Sequence, residues 1–420
     1  MRGREPSTLI RNFRLLWLGD TVNALGTSVT VFAVPIIAMR MLHATAFDVG
    51  LLTAARWLPA LVVGLPAGAW SERADKRSVL LACNVLSAFA IGTVPVLAVL
   101  SELSIGVLYV SVAVAGALAA VFNAAYVPYM SVAVDPKDNQ RAISRIVTAR
   151  TTALICGPAI GGMLASTYSP SSALIVDVAS FVVSFVCLAQ LPPSGTRAMP
   201  TSARRRLGHD IREGIGYLRA DPWLARLTVI GTTLNLLMVS YGAIELVFLI
   251  RVVGSAPRTA GYLLALGATG AIVGAPIVPR LTRRIGQINA LRGYLLVVLP
   301  LATLICLTQR GLGYGFFVVG QLALALSTTG INVIVLSSRQ ARVPEGMLAR
   351  VAATMSVCLT SAMALGGVVG GALAMVLGTR AALWLILPAA TLPGLLLLTR
   401  PFRQTSSLPI HAASRTATLQ

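Results

Sequence analysis

The sequence predicts an all-α membrane protein: twelve transmembrane helices arranged as two pseudo-symmetric six-helix bundles, with both termini on the cytoplasmic side. Three observations carry this. Charged residues make up only 11% of the 420, and the mean hydropathy is +0.80, whereas a soluble domain carries about 25% charge. Apolar runs of about 20 residues, enough to cross a hydrocarbon core as a helix, recur along almost the whole chain. Landmarks also repeat at a near-constant offset. Gly50, Arg73 and Asp75 are echoed by Gly261, Arg284 and Gly286, and Arg141 with Gly161-Gly162 is echoed by Arg350 with Gly370-Gly371. A duplicated unit of roughly 200 residues follows, the internal symmetry expected of a transporter.

The first span is placed at 13 to 40. Arg2 and Arg4 precede it, but its apolar run is too long for a signal peptide and lacks a small-residue cleavage site, so it is read as retained. Spans two to six follow at 47 to 71, 78 to 100, 105 to 127, 142 to 166 and 172 to 191, making an N-terminal half over 1–191. Between spans two and three, Gly68 to Arg77 gathers Glu72, Arg73, Asp75, Lys76 and Arg77 and reads as a tight cytoplasmic hairpin. The linker, 192–222, opens Pro-Pro-Ser-Gly and holds Arg204-Arg205-Arg206 and an amphipathic run, Ile211 to Leu218. Its basic run reads as an orientation signal in contact with anionic lipid. Spans seven to twelve are placed at 223 to 250, 258 to 280, 288 to 309, 312 to 337, 346 to 376 and 380 to 400, the C-terminal half over 223–400, with a polar tail over 401–420.

A formal net charge of +20 raises the question of nucleic acid, which the distribution of charge answers in the negative. Of the 34 basic residues only Lys76 and Lys137 are Lys, and all but Arg40, Arg56, Arg251, Arg258, Arg310 and Arg380 are assigned to the termini and even-numbered loops, counting the span ends that flank them. Positive loops stay cytoplasmic, so both termini are expected inside a plasma membrane. Cys83, Cys156, Cys187, Cys306 and Cys358 fall one per predicted helix and give no disulfide framework. No phosphate-binding Gly-Lys-Ser/Thr loop exists, since neither lysine follows a Gly. His43, His209 and His411 are scattered, and neither His-Glu-x-x-His nor Gly-x-Ser-x-Gly occurs. An enzyme, a metal and a cofactor are therefore not expected.

Two six-helix halves with a charged hairpin after helix two resemble the major facilitator superfamily. Gly68, Arg73 and Arg77 match that family's hairpin motif, while Glu72 replaces Asp, Asp75 replaces Gly and Lys76 replaces Arg. Asp tolerates a left-handed backbone, which would preserve a tight turn at Asp75. The resemblance implies a charge network through Glu72 and Arg73 that latches the halves; plain positive-inside anchoring is the alternative. Gly157-Pro-Ala-Ile-Gly-Gly162 in span five is similar to the glycine-proline motif of antiporters and drug exporters in this superfamily. Gly157, Gly161 and Gly162 permit close helix approach and Pro158 removes a backbone bond, which serves either a gate or helix packing alone. Asn12 to Trp17, Asp177 to Phe181 and Arg212 to Leu218 are similar to the macrolide and siderophore exporter branch.

Charges within a bilayer are costly, so each is a functional candidate. Asp20 in span one is followed at helical spacing by Asn23, Thr27 and Thr30 on one face. Span seven repeats the pattern with Asn235, Met238, Gly242 and Glu245; span ten carries Gln321, Ala325, Thr328 and Asn332, and span four Asn123. The resemblance places spans one, seven and ten around a central cavity. Asp20 and Arg150 sit at equal depth and are expected to pair, either as a proton site or as a static structural pair. Arg56 and Glu245 reach comparable depth from opposite halves and are expected to close an outer gate; Arg56 binding an anionic substrate is the alternative. Asp177 reads as a family structural residue before a proton carrier. Trp57, Tyr126 and Tyr241 either stack on aromatic ligands or serve packing and anchoring.

These residues point to a proton-driven exporter of an amphiphilic small molecule, acting as a monomer that rocks its halves about a central site. Uptake or facilitated diffusion on the same fold is the second reading, and a nontransporting membrane sensor or partner the third.

Overall fold

In a hydrocarbon solvent every backbone N–H and C=O must be bonded within the protein, which leaves helices as the means by which these apolar runs can cross. The computed structural model describes residues 6–71, 75–133, 139–193 and 207–399. Among the described residues it is all-helical, with twelve helices long and apolar enough to span a membrane. The chain is a multi-pass membrane protein.

Six spans form the first group: α1 (Pro6–Met41), α2 (Ala46–Ser71), α3 (Lys76–Val99), α4 (Ile105–Ala133), α5 (Asn139–Thr167) and α6 (Ala173–Ala189). After α7 (Leu207–Ala220) come α8 (Pro222–Val247), extended by a π-helical turn Phe248–Val252, and α9 (Pro257–Ile285). Next is α10 (Gln287–Gly293), continued by a π turn and a 3₁₀ segment to Leu307. The last are α11 (Tyr314–Arg342), α12 (Glu345–Leu377) and α13 (Thr379–Ala389), which a 3₁₀ segment carries to Leu398. The chain divides into two compact units, Met1–Thr201 with Ala243–Ala265, and Ser202–Gly242 with Leu266–Gln420. The hairpin joining spans seven and eight thus clusters with the first unit, although by sequence it belongs to the second half.

In the first unit α1 packs on both α5 and α6, while α4 packs on α2 and α3. Close crossings need small residues: a Cβ at Gly157 would run into Ser28 of α1, and one at Gly116 into the Arg56 carbonyl of α2. A buried core of Leu16, Leu80, Phe122, Tyr126, Tyr129 and Ile146 ties α1, α3, α4 and α5 together. Outward-facing positions are apolar as well, with Phe89 69% and Val99 83% exposed, as expected where the solvent is lipid.

In the second unit the same crossing recurs between α12 and α8, where Gly366 and Gly370 abut the backbone at Leu236 and Ser240. The amphipathic α7 lies on α12, burying Leu218 with Leu224, Val351 and Met355. Glu213 on α7 pairs with Arg350 on α12 at 2.6 Å, and Arg342 donates from Nε and Nη2 to Asp221 Oδ2 at 3.1 and 2.9 Å while lying over the Trp223 ring. Burial, and then the Asp221 carboxylate, push the Tyr217 phenol above its ordinary value.

Candidate functional site

Asp20 and Arg150 come together in the first unit. The guanidinium grips the carboxylate at both oxygens, Nε to Oδ2 at 3.0 Å and Nη2 to Oδ1 at 2.6 Å. The partners differ in exposure, 4% for the Asp20 side chain against 40% for Arg150. The guanidinium also sits over the ring of Tyr126, 5.4 Å from its centroid. The pair therefore joins α1, α5 and α4 at one point.

About three turns further along α1 lies a second buried acid. Asp177 on α6, 2% exposed, accepts hydrogen bonds from Thr30 Oγ1 at 2.6 Å and Ser180 Oγ at 3.1 Å. Gly26 on α1 makes room, since a Cβ there would meet Ser180 and the Asp177 carboxylate. Arg56, expected opposite Glu245, is half-buried on α2. Glu245 is half-buried on α8.

The glycine-proline stretch of α5 meets α9 within the first unit. A Cβ at Gly261 would collide with the Pro158 carbonyl, and one at Gly162 with the Pro257 carbonyl. Gly157 and Gly161 face α1 instead. In the same unit Arg251 Nη2 donates to the Ala44 carbonyl at 2.6 Å and to the Met39 carbonyl at 3.4 Å, closing over the end of α1.

The polar stripes are more dispersed in their bonding. Asn123 is exposed and donates back to Ala119 of its own helix; Asn235 does the same to Gly231. Asn23 has a buried carbonyl oxygen that meets no partner among the described residues. Thr27 is half-buried. In the second unit Gln321 accepts from Tyr241 at 2.8 Å, Thr328 bonds within α11, and Asn332 is exposed. Among the described residues no three His, Cys, Asp or Glu side chains converge to hold a metal ion.

At the hairpin, Glu72 and Arg73 lie outside the described residues, Gly68 is near the end of α2, and Lys76 begins α3. The left-handed backbone expected at Asp75 is corrected: φ is −63° and ψ 114°, and the carboxylate caps α3 by accepting from the Ser78 backbone N–H at 3.0 Å and its hydroxyl at 2.8 Å. An extended N-cap acid satisfies orphan donors of the first turn and needs no positive φ. Its counterpart Gly286, which has no side chain to cap with, takes φ +83°. Arg77 donates to the carbonyls of Leu188 and Ala189, capping α6 within its own unit.

The sequence profile of the Major Facilitator Superfamily matches residues 16–361. The chain belongs to the major facilitator superfamily. It is 27% identical over 379 residues to the uncharacterised MFS-type transporter YfiS of Bacillus subtilis, covering 87% of this chain and 88% of that protein. Over 216 residues it is 28% identical to the multidrug efflux pump Tap of Mycolicibacterium fortuitum, covering 49% and 51%. In fold it is similar to the nucleoside transporter NupG, with a TM-score of 0.77, 10% identity, and 92% and 99% of the two chains covered. This member of the superfamily is thus a membrane transporter of a small-molecule substrate.

Several connections in this superfamily member escape sequence reasoning. Arg292 donates to the Leu397 carbonyl at 3.3 and 2.9 Å, repeating in the second unit what Arg77 does in the first. The near-equal offset of Arg77 and Arg292 was available as a signal. Thr30 as the donor to Asp177, and the pairs made by Glu213 and Asp221, carry no comparable mark.

Proposed function

We propose that this transporter is a proton-coupled exporter of an amphiphilic small molecule of drug, macrolide or siderophore type. It works by alternating access in the plasma membrane, as a monomer with both termini inside. The observation that carries the reading is the Asp20–Arg150 pair, because an acid retained within a span is costly unless it serves. Asp20 exchanges its proton when the pair opens. Asp177, Arg56 and Glu245 gate, and Asn23, Thr27, Asn123, Asn235, Gln321, Thr328 and Asn332 face the substrate. The glycine-proline motif and the similarity to an efflux pump support the outward direction. One proton charge crossing 100 mV supplies about 2.3 kcal/mol, enough to drive antiport.

The test uses inverted vesicles holding the purified protein and a pH-sensitive dye, to which macrolides, siderophores and cationic dyes are added, with Asp20→Asn and Glu245→Gln alongside. Dissipation of the gradient by a compound with wild type, lost in one variant, supports antiport and names the carrier. Equal transport without a gradient, or two variants that behave as wild type, overturns the coupling and leaves facilitated movement.

A further inference from the structure

We infer that Tyr126 is a positioning residue for the Asp20–Arg150 pair: its ring seats the guanidinium, and its hydroxyl takes over the carboxyl group of Asp20 when Arg150 lets go. The inference rests on the reading of Asp20 as a group that opens and closes.

Tyr126 is 4% exposed, and its ring stacks on Phe122 at 5.6 Å with an interplanar angle of 20°. That stack leaves the other side of the ring to Arg150, an arrangement in which the ring quadrupole attracts the cation. The hydroxyl interacts with the Asp20 carboxylate, yet it meets no partner at hydrogen-bonding geometry among the described residues. Arg150 already occupies both carboxylate oxygens. A buried hydroxyl without a partner is destabilising, so the closed pair carries a built-in penalty beside it.

Opening the pair reverses the account. Asp20 loses its two charged donors, and the phenol, whose hydroxyl already interacts with the carboxylate, is in position to replace them. A phenol both donates and accepts, so it bonds an ionised carboxylate as well as a protonated one, whereas a guanidinium only donates. Asp20 thereby has two bonded states, one with Arg150 and one with Tyr126, and takes its proton from solvent in the second. The other groups around it do not compete. Asp177 on α6 is engaged by Thr30 and Ser180, and Asn23 on α1 is uncharged.

The experiment is infrared difference spectroscopy on the full-length protein in lipid, acidified stepwise to about pH 4, in the range where carboxyl groups protonate. Asp20→Asn identifies the carboxylic C=O band of Asp20 by its loss. In Tyr126→Phe this band is expected to move to higher frequency, as a carbonyl does on losing a hydrogen bond, while the melting temperature stays level or rises because the orphan hydroxyl is gone. Tyr126→Leu, which also removes the ring, is expected to lower the melting temperature. An unshifted band in Tyr126→Phe overturns the proposal. So does the absence of any Asp20-dependent band, because the carboxylate then never leaves Arg150. Neither readout requires transport, so a wild-type protein that moves no protons in vesicles would sink the exporter reading and leave the Tyr126 assignment standing.

Discussion

Thr30 Oγ1 on α1 donates to Asp177 Oδ2 on α6 at 2.6 Å, in a spot where only 2% of Asp177 is exposed. A hydroxyl donor aimed at a buried acid is hard to replace, because the site is shielded from solvent. Thr30→Val is expected to cost about 1–3 kcal/mol, the penalty of leaving a buried polar group short of a partner. Thermal unfolding of the purified protein followed by tryptophan fluorescence checks this. An unchanged melting temperature in Thr30→Val would mean that the Ser180 hydroxyl suffices.

The unequal exposure of Asp20 and Arg150 predicts an asymmetry. Arg150→Ala strands a carboxylate whose side chain is 4% exposed, whereas Asp20→Asn leaves a guanidinium that is 40% exposed and can reach solvent. Removing one partner of a buried pair costs about 3–5 kcal/mol, and that figure belongs to Arg150→Ala; Asp20→Asn is expected to cost less. The ranking is read from melting temperatures of the two variants side by side. A reversal would place Arg150, not Asp20, as the buried member.

These two acids show how far the sequence could be read. The spans were legible because each needs about 20 apolar residues, and the bilayer forbids most other structures. Asp20 and Arg150 were legible because charges within spans are rare and helical rise places both at one depth. The backbone at Asp75 was not legible, since a short acid before a helix serves equally as a turn residue and as a cap, and only φ separates the two. The bonding of Asp177 was not legible, since Thr30 and Ser180 reach it by rotation about their helix axes, which a depth argument does not see.

At the junction of α7 and α8, Arg342 holds Asp221 and covers Trp223, with side-chain exposures of 11% and 13% for the ion pair. Arg342→Lys keeps the charge but loses the two-donor grip and the flat stacking surface. It is expected to lose about 1–3 kcal/mol, since an ammonium has no planar fork to hold Asp221 while lying flat on the indole, and to change the emission of Trp223. A lysine variant with wild-type stability and spectrum would show that charge alone suffices.

The docking of α7 depends less on its visible ion pair than on a glycine. Glu213 is 38% exposed, so Glu213→Ala is expected to cost about 0–1 kcal/mol. Gly214 is different, because any Cβ there collides with Thr354 Oγ1 and crowds the Arg350 carbonyl of α12. Gly214→Val is expected to lift α7 off α12 and raise amide exchange across Leu207–Ala220, with Glu213→Ala close to wild type. Equal exchange in both variants would mean that the ion pair holds the helix.

Arg251 offers the clearest handle on the contact between α5 and α9. Its guanidinium bonds the Ala44 and Met39 carbonyls, in the same unit in which Gly261 and Gly162 let α9 and α5 touch. Arg251→Ala removes those donors but leaves the glycine contact intact, whereas Gly261→Leu drives a side chain into the Pro158 carbonyl. If both features hold the same closure, each variant raises the maleimide reactivity of a cysteine placed at Ala44, a position now 5% exposed, in a background free of native cysteines. The two changes should not add when combined, since a closure already lost cannot be lost again. Full additivity would mean that the arginine and the glycines secure separate contacts, and no change in Arg251→Ala would reduce its two hydrogen bonds to loop trimming.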